Sequence, residues 1–321
     1  MRAMTPSIRA GLQIPIFDYP GVDDVDLFET VAAIATTAED SGFDSVWTMD
    51  HFNQITGRPS DRMLETYALL GALAARTSRV NLGSLVTGVT YRNPAMLAKQ
   101  VTTLDVLSRG RAIFGIGAGW FEHEHTAFGY DFPSARERLD RLEEAVQIAR
   151  LMFTEESPSF QGTYYSIVEA FNRPRPIRPD GIPILIGGGG ERRTLGLVAQ
   201  YADACNVGAA GDAARAKIDA LARHCDELGR DIDSINKTLL RTVVIGATSA
   251  EAVARGDAMR AAMGIPEDRF SAMVVQGDPS AVAEYLAAEL KLGFDGVIMN
   301  IAGVQSLDTI ALAGDAMRML A

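Results

Sequence analysis

The chain has 321 residues, of which 47% are apolar, and a formal net charge of −11. This composition supports a large core and excludes a disordered chain, and the negative charge disfavours nucleic acid and anionic membranes, which attract basic patches. Because the two cysteines lack metal-site spacing and no segment has the apolar run of a secretory signal or a membrane span, we expect a cytoplasmic protein.

Short apolar runs alternate with helical patterns along the chain, and eight of these runs are strand candidates. Several are unbroken apolar segments, as expected for parallel strands that are buried on both faces. The predicted strands are residues 8–14, 45–48, 80–86, 112–116, 184–186, 204–207, 239–245 and 297–300.

The segments between these strands have the 3.6-residue apolar period of helices. Gly42 is placed to end the first helix, and Asn93 followed by Pro94 is a typical start of another. Strands that alternate with helices imply a parallel sheet with right-handed crossovers. Eight such units predict an α/β fold of the (β/α)8 TIM-barrel type, formed by a single domain over residues 1–321.

Two intervals are too long for a loop and one helix, and they follow the fourth and seventh predicted strands. The first, residues 118–182, contains the capping box Ser134–Glu137 and then a proline-rich segment that must be extended. The second, residues 246–278, is followed by more helical sequence, and two helices are predicted near 249–262 and 279–292. Because loops that follow barrel strands surround the active site, both insertions should shape a pocket.

A run of four glycines follows the fifth predicted strand and leads directly into a helical pattern: Gly187, Gly188, Gly189 and Gly190. Glycine permits positive φ and close backbone approach, and the start of a helix leaves unpaired N–H groups. The run therefore predicts a phosphate site, to which Arg192 and Arg193 could add positive charge. A tight turn without a ligand is the alternative, but one glycine would suffice for that.

Asp50 and His51 follow the second predicted strand, at the barrel face where catalysis takes place. Histidine is suited to acid–base catalysis near neutral pH, and a neighbouring carboxylate can orient it. We therefore predict a catalytic role for this pair. The alternative is a loop histidine with structural hydrogen bonds only.

The motif GIGAGW, residues 115–120, lies at the end of the fourth predicted strand. It superficially resembles a dinucleotide-binding motif, but Trp120 and Phe121 occupy the later positions and no clear helix follows. We expect instead that its small residues let a flat ligand lie against the strand end. Trp120 and Trp47 are candidate pocket walls, with the core as the alternative for both. His123 and His125 have no further ligands nearby, so no metal site is predicted.

Taken together, these segments resemble the bacterial luciferase-like monooxygenase superfamily, especially its branch that depends on coenzyme F420. The resemblance covers almost the whole chain and rests on the order and spacing of three segments. These are GFDSVWTMDHF, VNLGSLVTGVTYRNPAMLAKQVTTLDVLSRGRAIFGIGAGWFEHEHTAFG and IPILIGGGGERRTLGLVAQYADACN. The resemblance implies a TIM-like barrel with an isoalloxazine or deazaflavin ring at its C-terminal mouth.

The resemblance also implies roles for single residues. A non-proline cis peptide would back the ring within Ser84-Leu85-Val86, at the Leu85–Val86 bond. Asp50 would hydrogen-bond the ring, and His51 would contact the substrate carbonyl or hydroxyl and move a proton.

The resemblance also implies which residues contact the phosphate and the ring edge of the coenzyme. The glycine run at 187–190 would hold the phosphate of the coenzyme, and Ala118 and Gly119 would lie near the ring edge. One position departs from the pattern, since sugar-phosphate dehydrogenases of the family have a catalytic glutamate where this chain has Trp120. This substitution disfavours sugar-phosphate oxidation and indicates a more apolar substrate.

The leading hypothesis is hydride transfer between coenzyme F420 and a small organic substrate. The alternative is an FMN-dependent monooxygenase that uses oxygen and reduced flavin. Both imply a coenzyme-reducing enzyme in trans, and a homodimer is possible because relatives commonly dimerise. A barrel aldolase or isomerase is less favoured because no lysine falls convincingly at a strand end, and a coenzyme carrier without activity also stays open.

Overall fold

A computed structural model of the protein describes residues 8–320. Twelve strands are present in this part of the chain: β1 (Ala10–Ile14), β2 (Ser45–Thr48), β3 (Asn81–Ser84), β4 (Thr87–Gly88), β5 (Ala112–Gly117), β6 (Phe160–Gln161), β7 (Ser166–Ile167), β8 (Ile184–Gly187), β9 (Ala204–Val207), β10 (Asn236–Ile245), β11 (Val274–Gly277) and β12 (Gly296–Ile301). Eight of them, β1, β2, β3, β5, β8, β9, β10 and β12, pair in this order as parallel neighbours. Pairing of β12 with β1 closes the barrel and confirms the predicted fold.

Helices surround the barrel and connect its strands. They are α1 (Leu27–Asp40), α2 (Thr66–Arg76), α3 (Pro94–Leu107), α4 (Glu122–Phe128), α5 (Ala135–Thr154), α6 (Thr194–Tyr201), α7 (Gly211–Leu228), α8 (Ser249–Met263), α9 (Glu267–Met273), α10 (Pro279–Leu290) and α11 (Leu307–Arg318). None of these helices is both long enough and apolar enough to cross a membrane, as far as the described residues extend.

The helix starts follow from local sequence. The Asn93 side chain accepts hydrogen bonds from the amides of Ala95 and Met96, and Pro94 takes the first position of α3, as predicted. Ser134 accepts from the Glu137 amide at the start of α5. The Glu137 carboxylate pairs with Arg141 one turn later, so only half of the predicted capping box forms.

The third barrel strand is shorter than predicted, because β3 ends at Ser84 and the chain then bulges. The Leu85–Val86 peptide is cis, as the family resemblance implies, and β4 resumes pairing with β5 beyond it. Gly115 makes this path possible. A Cβ there would lie 1.9 Å from the Ser84 carbonyl oxygen, so no other residue fits opposite the bulge.

Trp47 lies in the barrel interior and not at the predicted pocket wall. It is fully buried with Ile113, Leu185 and Ile298, and a Cβ at Gly83 would lie 2.7 Å from its ring. Side chains of a strand alternate between its two faces, and Trp47 points inward below the mouth of the barrel. The structure therefore assigns Trp47 to the core.

Both long intervals carry extra elements. Between β5 and β8 lie α4, α5, the antiparallel β6–β7 hairpin and an extended segment with a cis Arg173–Pro174 bond. Between β10 and β12 lie α8, α9, β11 and α10. The helices α8 and α10 match the two that the sequence predicts, whereas α9 and β11 were not predicted.

Candidate active site

A cavity of about 720 Å³ opens at the carboxyl ends of the barrel strands. Its volume is within the usual range for small-molecule and cofactor sites. The structure brings nine of the predicted site residues into its wall: Asp50, His51, Leu85, Val86, Ala118, Gly119, Trp120, Gly187 and Gly188. Among the lining residues in the described part of the chain, Asp50 is the one carboxylate and none is lysine or arginine.

The other predicted residues lie outside this wall. Ser84 is buried beneath the bulge, and its hydroxyl has no hydrogen-bond partner within residues 8–320. Gly189 and Gly190 follow directly on Gly188, the last residue of the four-glycine run that lines the cavity.

Val86 is inserted between two glycines at neighbouring strand ends. A Cβ at Gly117 would lie 2.8 Å from one Val86 methyl carbon, and a Cβ at Gly187 would lie 2.8 Å from the other. The Leu85 carbonyl oxygen is fixed from the opposite side by the Gln13 side-chain amide, at 2.8 Å. Gly187 is thus required for packing of the bulge, so its role differs from that of the glycines after it.

Asp50 is held in a buried ion pair. Only 3% of the residue is exposed, and its two oxygens accept from the Arg92 guanidinium at 2.6 and 3.0 Å. One of them also accepts from the Gly88 amide at 3.3 Å. Burial raises the pKa of the Asp50 carboxyl, and the Arg92 guanidinium opposes that rise. Asp50 therefore does not orient His51, although the two are neighbours in sequence.

His51 is oriented by Glu124, which the sequence analysis did not identify as a site residue. The imidazole Nδ1 lies 2.9 Å from Glu124 Oε2, and Nε2 has no protein partner among the described residues. The ring edges of Trp120 and Phe121 pack against the imidazole, with centroid distances of 6.1 and 6.0 Å. The ring is therefore held in place with Nε2 as the nitrogen available to a ligand.

Glu124 is fully buried in α4 and is an acceptor for four donors. Besides His51, these are the Tyr91 hydroxyl at 2.6 Å, the Asn53 amide at 2.8 Å and the Phe52 amide. Burial alone would raise the pKa of Glu124, but the four hydrogen bonds outweigh it, and the pKa is lowered. Burial and Glu124 both raise the pKa of Tyr91, so the Tyr91 hydroxyl stays protonated and donates.

The two histidines beside Glu124 have different surroundings. His125 is buried, with Nδ1 2.9 Å from the Phe121 carbonyl oxygen and Nε2 2.6 Å from the Thr90 hydroxyl. His123 is exposed on the other side of α4. Helical spacing separates their ring directions.

The rim of the cavity beside His51 is aromatic. Trp120 is 64% exposed and packs on Phe121, with ring centroids 5.2 Å apart. Next to it, Phe52 packs on Tyr91 and Tyr130 at 4.7 and 5.6 Å. Of these aromatic residues, Trp120 and Tyr91 line the cavity and offer aromatic surface to whatever enters it.

The glycine loop (residues 187–190) has backbone donors available. Gly188 has a φ of +125°, which favours glycine, and its amide donates to the Asn206 carbonyl. The amides of Gly189, Gly190 and Glu191 donate to no acceptor within the described residues. Helix α6 begins shortly after them, so these donors lie at the positive end of its dipole.

The side chains around the glycine loop differ from the sequence expectation. Arg193 turns away from the loop and pairs with Asp140 at 2.7 Å. Lys217 from α7 lies beside the loop instead, with its Cε 3.5 Å from the position of a Cβ at Gly189. Its ammonium group pairs with Glu191 at 2.7 Å. Lys217 therefore packs against the loop, which the sequence did not predict, whereas the charge of Arg193 is paired with Asp140.

Comparison with known proteins gives one family and several relatives. The sequence model of the family described as luciferase-like monooxygenase matches residues 17–275. The chain is 30% identical over 312 residues to the F420-dependent glucose-6-phosphate dehydrogenase of Nakamurella multipartita, which covers 89% of this chain and 90% of that protein. It is 41% identical over 170 residues to the protein of the same name from Kineococcus radiotolerans.

The second of these matches covers 52% of this chain and 49% of the Kineococcus protein, so it spans about half of that relative. Among solved structures, an F420-dependent secondary alcohol dehydrogenase in complex with an F420–acetone adduct superposes with a TM-score of 0.82. Its sequence is 21% identical, and the match covers 98% of this chain and 99% of that chain. At this identity the likeness shows a shared fold.

Proposed function

Because the chain belongs to the luciferase-like monooxygenase family, as its motifs predict, we propose that it transfers hydride between coenzyme F420 and an uncharged small organic substrate. One observation carries the proposal: a single cavity joins the Val86 bulge, the mouth of the glycine loop and the free Nε2 of His51. The relatives support F420 as the coenzyme, since both dehydrogenases described above are named as F420-dependent.

The residues of the cavity fit a flat, phosphorylated coenzyme. The bulge at Leu85–Val86 and the small residues Ala118 and Gly119 offer a smooth wall for a planar ring. The amides of Gly189 and Gly190 would hold a phosphate, with the positive end of α6 behind them. When bound, the deazaflavin supplies the acceptor or donor for a hydride.

His51 would handle the proton of the reaction. An unprotonated Nε2 can accept the proton of a substrate hydroxyl, and a protonated Nε2 can return it to a carbonyl oxygen. Asp50 would have a different role. Its three hydrogen bonds hold Arg92 and Gly88, and they leave about one lone-pair site of the carboxylate for a ring N–H.

The cavity wall favours an uncharged substrate over a sugar phosphate. The family resemblance implies that Trp120 stands in place of a glutamate of the sugar-phosphate dehydrogenases, and no lysine or arginine is among the described lining residues. A substrate phosphate beside His51 would lose its hydration without gaining a cationic partner. The substrate proposed for this chain therefore differs from the glucose 6-phosphate for which its two relatives are named.

We expect a neutral secondary alcohol or ketone to have a kcat/KM at least roughly 100-fold above that of glucose 6-phosphate, because burial of an unpaired charge is costly. The measurement is the change in F420 absorbance under anaerobic conditions with a panel of both compound classes. If glucose 6-phosphate proves to be the best substrate of the panel, the proposal of an uncharged substrate is wrong.

The glycine loop provides a test of coenzyme binding. We expect Gly189→Asp to weaken F420 binding by at least roughly tenfold, because its carboxylate repels a phosphate at the loop. Gly189→Asn is the matched control, with the same shape and no charge. A Cβ at position 189 makes only ordinary contacts, so both variants should fold. Equal Kd values for the two variants in a fluorescence titration would place the phosphate elsewhere.

An FMN-dependent monooxygenase is the second candidate, favoured by the description of the family. FMN also combines a tricyclic ring with a phosphate, so it matches the same cavity. Oxygen separates the two activities, since reduced FMN reacts with oxygen and F420 passes only hydride. Oxygen uptake with reduced FMN and a panel of aldehydes, measured beside anaerobic F420 turnover, decides between them. The FMN monooxygenase, and F420-dependent reduction of a carbonyl, would consume reduced coenzyme and need a separate enzyme that supplies it, whereas oxidation of an alcohol would itself reduce F420.

A further inference from the structure

We propose that Glu124 is the positioning residue of the site, and that it fixes His51 in the tautomer that presents an unprotonated Nε2 to the cavity. The kinetic part of this proposal rests on the proposed function, whereas the tautomer is a property of the protein without any coenzyme.

The hydrogen bonds of Glu124 fix its carboxylate with one oxygen facing His51. Its Oε1 accepts from the backbone amides of Phe52 and Asn53, which fixes the carboxylate plane against the chain that follows His51. Its Oε2 accepts from the Tyr91 hydroxyl at 2.6 Å and faces Nδ1 of His51 at 2.9 Å. The carboxylate therefore holds a fixed acceptor atom against Nδ1.

The charge of Glu124 determines which ring nitrogen carries the proton. A fully buried carboxylate that accepts four hydrogen bonds is stable in its ionised form, and the lowered pKa of Glu124 agrees with this. An ionised carboxylate accepts hydrogen bonds and donates none, so Nδ1 of His51 must carry a hydrogen. In the neutral ring, Nε2 is then unprotonated and ready to accept a proton.

No other described carboxylate takes this role. Asp50, the neighbour in sequence, has its oxygens engaged by Arg92 and the Gly88 amide. Packing of Trp120 and Phe121 against the imidazole opposes a ring flip that would exchange the two nitrogens. The arrangement corresponds to a histidine and an orienting carboxylate, as found in catalytic triads.

The tautomer can be read directly from the nitrogen chemical shifts of protein labelled with 15N-histidine. The chain has four histidines, and the spectrum of His51→Gln identifies the signals of His51 by their loss. At a pH where the imidazoles are neutral, we expect Nδ1 of His51 to be protonated and Nε2 unprotonated. In Glu124→Gln, the side-chain amide can donate to Nδ1, so the population should shift toward the Nε2–H form.

His125 serves as an internal reference in both spectra. Its Nδ1 faces the Phe121 carbonyl oxygen and its Nε2 faces the Thr90 hydroxyl, so its own tautomer does not depend on the charge of Glu124. Unchanged His125 signals in Glu124→Gln would show that α4 keeps its structure. If Glu124→Gln does not fold, the tautomer of His51 in the native protein still tests the proposal. A native Nε2–H form of His51 overturns it.

A kinetic cycle separates positioning from a merely structural role. Glu124→Gln is expected to lower kcat by roughly 100-fold or more with little change in F420 affinity. Because Glu124 acts through His51, the double variant with His51→Gln should lose no more activity than His51→Gln alone. Additive losses would overturn the proposal. A native Nδ1–H tautomer in a protein without F420 turnover would instead contradict only the proposed function.

Discussion

Replacing His51 with glutamine is expected to lower kcat by roughly 10²–10⁴-fold, the usual contribution of a positioned acid–base group. Glutamine keeps a polar side chain at the cavity wall but has no nitrogen that takes up and releases a proton near neutral pH. The hydrogen-bond partner of the imidazole is Glu124, and the phosphate would be held by amides of the glycine loop, so F420 affinity should change little. Steady-state kinetics and a fluorescence titration measure the two quantities separately.

The matched control for this substitution is His123→Gln. His123 lies in the same region of the chain, on α4, but is exposed and absent from the described cavity wall. Its variant should keep the activity of the native protein. If His51→Gln also retains it, a group other than His51 moves the proton, and the assignment of the site has to be changed.

Replacing Arg92 with methionine is expected to destabilise the fold by about 3–5 kcal/mol, because it leaves the buried Asp50 carboxylate without its cationic partner. Adding Asp50→Asn to this variant should recover part of the loss, since it removes the unpaired charge. Urea unfolding of both variants gives the free energies of unfolding. The double variant also reports on the bulge, because Asp50 accepts from the Gly88 amide just after it.

The surface ion pair between Arg58 and Asp61 is the control for the Arg92→Met variant. Arg58 pairs with Asp61 at 2.8 Å, but its side chain is largely exposed, and Arg58→Met should have little measurable effect on unfolding. If Arg92→Met changes the free energy of unfolding as little as Arg58→Met does, the Asp50 site is more open to water than its burial indicates. Its carboxylate would then be free for a role other than the one proposed.

The sequence was sufficient to predict the barrel, because its strands are short apolar runs of distinct length between amphipathic helices. It predicted the end of β3 less well, since a strand and a bulge share the same apolar residues. The extra elements α9 and β11 were missed because residues 264–277 have no long helical period. Boundaries of this kind depend on tertiary pairing, such as that of Thr242 in β10 with Val274 in β11.

The candidate site was predictable where function follows from residues adjacent in sequence, as for Asp50 and His51. Glu124 was missed because it is 33 to 73 positions from the groups it binds, and a short polar helix gives no sign of burial. The pairing of Arg193 with Asp140 and Glu143 of α5 could not be predicted, because only the folded chain brings these residues near one another. Trp47 could not be assigned from its strand alone, since a tryptophan at a strand end suits both the core and a pocket wall.

The central claim is that this cavity binds a deazaflavin coenzyme, and an equilibrium titration of the native protein with F420 and with FMN tests it most directly. We expect saturable quenching of F420 fluorescence, with one site per chain and a Kd below that for FMN. Absence of saturable F420 binding, or tighter binding of FMN, would contradict the claim.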